Sequence, residues 1–228
     1  MQQRDTMSRL DFRRDGAQRY RGAASGDLCH IIAALGHLPT DQAGIRINGI
    51  GKLRPLLRSA GSIGSIAAGI LGPNSRPVRA ILFDKTVDTN WSLGWHQDRT
   101  ICVRNKMAVE GFGPWTVKRG MQHVAPPFDL LTRMITLRIH IDDVPATNAP
   151  LYIAPGSHID GLVSVDAIAE VVRRRGARAC IAEAGDVWLY STPILHASEA
   201  ASVPVRRRVL QLDYAAEKLP SGLEWLGV

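Results

Sequence analysis

Three times the chain places an aspartate two residues after a histidine: His96-Gln97-Asp98, His140-Ile141-Asp142 and His158-Ile159-Asp160. On an extended strand, side chains at i and i+2 leave the same face, so an imidazole and a carboxylate at this spacing can reach one ion. Two imidazoles and one carboxylate with open positions make the facial site of a non-haem iron(II) oxygenase. Context separates the copies. His140 and Asp142 close an alternating apolar run and lead into Asp143-Val144-Pro145, which reads as a strand end. His158 follows the turn Pro155-Gly156-Ser157. His96 ends the aromatic-rich run Trp91-Ser92-Leu93-Gly94-Trp95 and stands before a long loop, as a pocket mouth would. His96 and Asp98 are therefore the candidate metal ligands.

The third ligand must come from a strand remote in sequence, and His196 is the candidate. Residues 200–204 read as a turn, and a hairpin centred near 201–202 would set Arg207 opposite His196. A guanidinium there suits a carboxylate whose other end chelates a metal. On the last strand, Arg207, Val209, Gln211 and Asp213 share one face, and Leu210, Leu212 and Tyr214 the other. The strand over 133–141 divides likewise, Ile135, Leu137 and Ile139 against Thr136, Arg138 and His140. A barrel with helices outside and a polar cavity inside would show this split; so would a half-solvated sheet.

The elements that must position these residues follow from periodicity. Phe12-Arg13-Arg14-Asp15-Gly16 reads as a turn and a short strand. Ser25 can cap a helix to about Leu35 with Leu28, Ile31, Ile32 and Leu35 on one face. A second helical region runs from about Leu53 to Leu71, broken at Gly61 and Gly64. Strands are expected over 78–83, 133–141, 151–153, 186–190 and 206–214, with one helix over 165–174. The stretch 100–129, rich in glycine and proline, reads as an irregular lid. The expected organisation is one domain over 1–228, with a mainly helical lead-in over 1–75 and a β core over 76–228. Many short strands behind helices suggest a sandwich or jelly roll.

Composition sets outer bounds. The 228 residues are 45% hydrophobic and 21% charged, ordinary for a soluble domain. No apolar run nears the ~18 residues of a membrane span, and the N-terminus lacks the apolar region of a secretory signal. Cys29, Cys102 and Cys180 are far apart and odd in number, so neither a disulfide framework nor a zinc motif is expected, and the cytoplasm is the expected compartment. The net charge of +7 is compatible with nucleic acid, an anionic substrate or no specific partner. The arginine clusters lack the interleaved aromatics of a single-strand binder, so nucleic acid is not the expected partner.

A series of motifs in order adds a family resemblance. It runs through Phe12–Gly16, Leu82-Phe83-Asp84-Lys85, Trp95–Asp98, Leu137–Asp143, Asn148–His158, Ala184-Gly185-Asp186, His196-Ala197-Ser198 and Arg206–Leu210. Together these resemble the phytanoyl-CoA dioxygenase family of iron(II)/2-oxoglutarate oxygenases. The resemblance implies a double-stranded β-helix, mainly β with helices packed on one sheet. It implies iron at His96, Asp98 and His196, and the distal carboxylate of 2-oxoglutarate on Arg207 and Ser198. Lys85 matches a family lysine and would assist. His158 and Asp142-Asp143 match family turn and strand-end motifs, which sets the other two His-x-Asp copies aside.

Two positions depart from the ectoine hydroxylases of the family: Phe83 replaces an asparagine that contacts 2-oxoglutarate, and Cys102 replaces a tryptophan. The implied activity uses O2 to hydroxylate a C–H bond of a small molecule, releasing succinate and CO2. Arg79 and Arg138 have the strand parity to face the cavity and meet an anionic substrate, with Trp115 and His123 of the lid beside it. The alternatives are a non-catalytic jelly-roll binding module and a cupin-type metal isomerase or hydrolase. Asp98 speaks against halogenation, which would need a small residue there to leave room for halide.

Overall fold

The computed structural model describes residues 9–228; the first eight residues of the basic lead-in lie outside the described residues. The N-terminal third forms α1 (Phe12–Asp15), β1 (Ala17–Tyr20), α2 (Leu28–Leu35), β2 (Gly44–Ile47), α3 (Arg54–Leu57) and α4 (Gly64–Leu71). There follow β3 (Arg76–Lys85), β4 (Leu93–His96), β5 (Ile101–Val103), β6 (Trp115–Lys118), β7 (Met121–Val124) and α5 (Phe128–Thr132). The remainder is β8 (Ile135–His140), β9 (Leu151–Ile153), α6 (Ile168–Arg175), β10 (Arg178–Cys180), β11 (Val187–Ser191), β12 (His196–Ser198) and β13 (Arg207–Ala215). A six-stranded sheet, β1-β11-β8-β13-β3-β2, faces a four-stranded one, β10-β9-β12-β4, and all their pairs are antiparallel. This is the expected jelly roll with helices on one sheet.

Strand parity has the outcome the barrel reading requires. Leu137, Ile139, Leu210, Leu212 and Tyr214 are buried in one cluster with Ile31, Leu35, Leu53, Leu57 and Ala67 of the helical layer. Each fully buried large aliphatic contributes ~1.5–3 kcal/mol, so this layer fixes which face of the large sheet turns inward. The inward face carries Val209, Tyr190 and Trp188 against Leu151, Ile153 and Ile194 of the facing region. Its polar remainder, including Arg138, Arg207 and Gln211, lines a cavity.

Several local expectations are corrected. Residues 12–15 are a helical turn, because the Asp11 carboxylate accepts from Arg13 N and Arg14 N and Gly16 closes the turn at φ 71°; the strand starts only at Ala17. Ser25 makes no side-chain cap and opens a 3-10 turn, and α2 buries Ile31, Ala34 and Leu35 while Ile32 stays exposed. The break in the second helical region is sterically set. A Cβ at Gly61 would lie 2.3 Å from Leu56 O, and one at Gly64 would lie 2.0 Å from Arg58 O. The lead-in is also less helical than expected, since β1 and β2 are the two edge strands of the large sheet. Four residues each are too few for a period to show.

The stretch 100–129 is irregular only in part, over residues 104–114 and the short joins. It holds a third sheet, β5-β7-β6, whose Ile101, Val103 and Val124 pack with Leu130, Leu223 and Trp225. The expected hairpin between His196 and Arg207 does not form. β12 pairs with β9 and β4, whereas β13 pairs with β8 and β3. Residues 199–206 cross from one sheet to the other, and remote groups meet their backbone: Ala201 N donates to Asn90 Oδ1 (2.6 Å) and Ser202 N to Thr147 O (3.0 Å). With those donors satisfied elsewhere, a ladder within the segment is not needed. Among the described residues no helix is long and apolar enough to cross a membrane.

Candidate metal centre and co-substrate pocket

β4 and β12 are antiparallel neighbours, and their register sets His196 opposite His96. The two rings lie 4.3 Å apart between centroids. Asp98, just past the end of β4, completes a group whose three ligating atoms lie within 4.8 Å of one another. Each imidazole is fixed from behind: His96 Nδ1 donates to Gly94 O (2.8 Å) and His196 Nδ1 to Ile194 O (2.9 Å). Those bonds assign the ring proton to Nδ1 and leave Nε2 for a metal. Burial pushes His196 down to about 4, so it is neutral at pH 7 without a metal's help. Burial works against ionisation of Asp98, but Arg79 and the two imidazoles outweigh it and hold the carboxyl below its usual range.

Gln97, between the two ligands, is turned away from them. Its amide nitrogen donates to Gly161 O and Pro193 O, both at 2.9 Å, and its oxygen accepts from Val163 N (2.9 Å). The alternation that brings His96 and Asp98 together thus also bolts the site to two loops. Nothing local in the sequence signalled this.

Arg79 lines the cavity but is committed to carboxylates there. It meets Asp98 at 3.1 Å and Asp213 at 2.5 Å, and Asp213 accepts from the Thr136 hydroxyl (3.2 Å). The expected contact between Arg79 and an anionic substrate is therefore corrected: two carboxylates already neutralise this guanidinium.

The other pole of the cavity is short of negative charge. Arg207 stands opposite Lys85 in the β13–β3 register. It is 2% exposed, and its Nε has no partner. Burial, then the nearby Arg138, push it down to about 9. Lys85 Nζ donates to Trp91 O (2.7 Å), Glu199 O (3.0 Å) and Ser198 Oγ (3.1 Å). Burial, with Arg207 and Arg138, pushes Lys85 down to about 7. Arg138 donates to Gln211 Oε1 (2.7 Å) and lies over the Phe83 ring at 5.1 Å. A buried cation without a counter-ion is costly, so this pole fits an incoming carboxylate. The flanking arginines are already committed, Arg206 to Asp84 and Arg208 to Asp142.

One cavity of about 640 Å³ is lined by the three candidate ligands together with Lys85, Ser198, Arg138 and Arg207. Trp115 and His123 are not brought to it. Trp115 packs on the core of the third sheet, and His123 is buried with its Nδ1 on Met121 O. It is the tip of their hairpin, at Lys118, that reaches the cavity. Sequence reasoning missed Lys118 and Arg46, which lie on strands of only four residues. Phe83 lines the cavity, and Cys102 is buried away from it. The remaining His-x-Asp copies have structural tasks. Asp142 holds Arg208, Asp160 holds Arg175, and the His158 ring packs where a Cβ on Gly16 would stand.

The facing sheets and the two-histidine, one-carboxylate cluster define the class: a double-stranded β-helix protein with a candidate facial metal site. The family model for phytanoyl-CoA dioxygenase matches residues 71–209, more than half of the chain. The chain belongs to the phytanoyl-CoA dioxygenase family and is an oxygenase dependent on iron(II), 2-oxoglutarate and O2. No curated protein matches it in sequence. Among solved structures it is similar to EctD from S. alaskensis with 2-oxoglutarate and 5-hydroxyectoine, at TM-score 0.68 and 18% identity over 95% of this chain and 77% of that one. It is similar to the epimerase SnoN from nogalamycin biosynthesis, at 0.62 and 16% over 92% and 87%. It is also similar to HygX from Streptomyces hygroscopicus with nickel and 2-oxoglutarate, at 0.60 and 13% over 90% and 84%. At these identities the likeness establishes the fold.

Proposed function

We propose that His96, Asp98 and His196 bind the iron(II), that Arg207 with Lys85 and Ser198 binds the distal carboxylate of 2-oxoglutarate, and that the enzyme hydroxylates a C–H bond of a small molecule. The observation that carries this is one cavity holding both the ligand cluster and a buried guanidinium that has no counter-ion among the described residues. The donor set fits iron(II), since imidazole and carboxylate with open positions suit that metal. The solved relatives EctD and HygX hold 2-oxoglutarate on the same fold.

When bound, iron(II) with 2-oxoglutarate supplies the means to activate O2, leaving succinate, CO2 and an oxidised substrate. The chain's own residues do the positioning. The neutral His196 imidazole and the ionised Asp98 present lone pairs without first shedding protons, and the Gly94 carbonyl orients the His96 ring. Arg79 and Asp213 keep the Asp98 carboxylate in place. Arg207 sets the direction of the co-substrate, and Ile81 and Phe83 give the cavity an apolar wall that limits water. The test is labelled oxygen. With 18O2, hydroxylation puts one atom into succinate and one into the product. Succinate release with no label in the oxidised product would contradict hydroxylation and favour an epimerising or ring-closing outcome.

A further inference from the structure

Seven side chains lining the cavity are basic and one, Asp98, is acidic. Most of the seven are accounted for. Arg79 is held by Asp98 and Asp213. Arg99 donates to Val163 O (2.6 Å). Lys85, Arg138 and Arg207 form the co-substrate pole. Two remain, Arg46 on β2 and Lys118 at the end of β6.

Neither makes an ion pair among the described residues, and the Arg46 Nε is buried with no partner. The placement of Arg46 follows from β2 itself. Ile45 and Ile47 join the helix-covered core, so Gly44 and Arg46 must face the cavity. Register sets Arg46 beside Ile81, one inward-facing position from Arg79 and therefore at the level of the metal cluster. Burial, then the neighbouring Arg79 and Arg119, lower the affinity of Arg46 for its own proton. A guanidinium in this setting is short of an anion that 2-oxoglutarate, committed at the Arg207 pole, does not supply.

The cavity lining also includes exposed apolar side chains. Leu93 is 46% exposed and Val165 is 72% exposed, and both line the cavity beside Trp95. Large exposed apolar side chains grouped at a cavity mouth mark a ligand surface.

We propose that the substrate carries an oxyanion, a carboxylate or a phosphate, that Arg46 and Lys118 bind at the cavity mouth, with an apolar body against Trp95, Leu93 and Val165. This rests on the metal and co-substrate assignment above and adds the substrate class. It moves recognition of the substrate anion from Arg79 and Arg138, expected from sequence, to Arg46. The fork of Arg46 suits a two-point contact to either oxyanion, and Lys118 contributes a single charge.

The test is calorimetric titration of anaerobic protein saturated with iron(II) and 2-oxoglutarate, using hexanoate, hexyl phosphate and hexanamide as probes. At least one anion binds tenfold or more tightly than hexanamide, and which one tells carboxylate from phosphate. Arg46→Met weakens that anion at least tenfold and leaves hexanamide and 2-oxoglutarate affinities unchanged. Lys118→Met causes a smaller loss, and Arg46→Lys restores part of the affinity. Equal binding of amide and anions, no binding by any probe, or an unaltered anion affinity in Arg46→Met overturns the proposal. If iron(II) and 2-oxoglutarate themselves fail to bind, that separate assignment falls. The same titration on metal-free Arg207→Ala protein then still decides the role of Arg46.

Discussion

His96 and His196 occupy one rung of the β4–β12 ladder, each with Nδ1 tied to the carbonyl two residues before it. The proposed metal site thus depends on strand pairing: a slip of one residue would turn His196 to the opposite face. His96→Ala, Asp98→Ala and His196→Ala should each lower iron(II) affinity by more than the ~10–100-fold typical of losing an outer-shell partner. Far-ultraviolet circular dichroism should remain that of the native protein. Hydroxylation persisting in Asp98→Ala would sink the ligand assignment.

Arg79 should behave as a positioning residue. Arg79→Met leaves Asp98 and Asp213 facing each other without their shared cation, and breaking a buried pair in this way costs ~3–5 kcal/mol. Denaturant midpoints should fall accordingly, with iron(II) affinity down ~10–100-fold. Adding Asp213→Asn removes one stranded carboxylate and should recover part of the stability. A double variant no more stable than Arg79→Met would show that the pair is not coupled as described.

Arg207 separates the two binding functions. Hydrogen bonds to charged groups contribute ~1.5–3 kcal/mol, and ~1.4 kcal/mol is a factor of ten. Arg207→Ala should therefore weaken 2-oxoglutarate at least tenfold while iron(II) affinity stays. Arg206→Ala and Arg208→Ala lose pairs with Asp84 and Asp142 on the other side of the strand, and should leave 2-oxoglutarate affinity alone. Equilibrium dialysis of the three variants checks this. A loss confined to a flanking arginine would contradict it.

Lys85 gives the site a pH dependence. Its folded value is lowered from 10.5 to about 7. Between those limits the unfolded chain holds a proton that the folded chain lacks, so this residue makes stability rise with pH across that window. A carboxylate bound nearby favours the ammonium form, so 2-oxoglutarate binding takes up a proton. Affinity should therefore decline above pH ~7, by about tenfold per unit at most for one proton. Calorimetry from pH 6.5 to 8.5 should show this slope in the wild type and none in Lys85→Met. A slope that survives the substitution would assign it to another group.

What the sequence made legible was local and periodic. The i, i+2 pairing of His96 with Asp98 and the apolar and polar faces around Arg138 and Arg207 are properties of single strands, and they held. The relation between His196 and Arg207 did not, because the segment between them changes sheets under the control of Asn90 and Thr147, which are remote in sequence. Arg207 reaches the cavity because its strand parity was right, even though its partner is Lys85 rather than His196. Arg79 was assigned to the correct face and the wrong task. Parity tells which way a side chain points, but only the fold shows that Asp213 and Asp98 are already there. Arg46 was missed because β2 is four residues long and sits at a sheet edge.

The central claim is that one cavity holds iron(II) on His96, Asp98 and His196 and 2-oxoglutarate on both that metal and Arg207. Anaerobic titration followed in the visible range tests it most directly, because chelation of iron(II) by a 2-oxo acid produces a charge-transfer band that neither gives alone. The wild type should show the band with both ligands present, His196→Ala should show none, and Arg207→Ala should show it only at 2-oxoglutarate concentrations at least tenfold higher. A wild-type protein that binds iron(II) and 2-oxoglutarate without the band, or a His196→Ala protein that keeps it, would contradict the account.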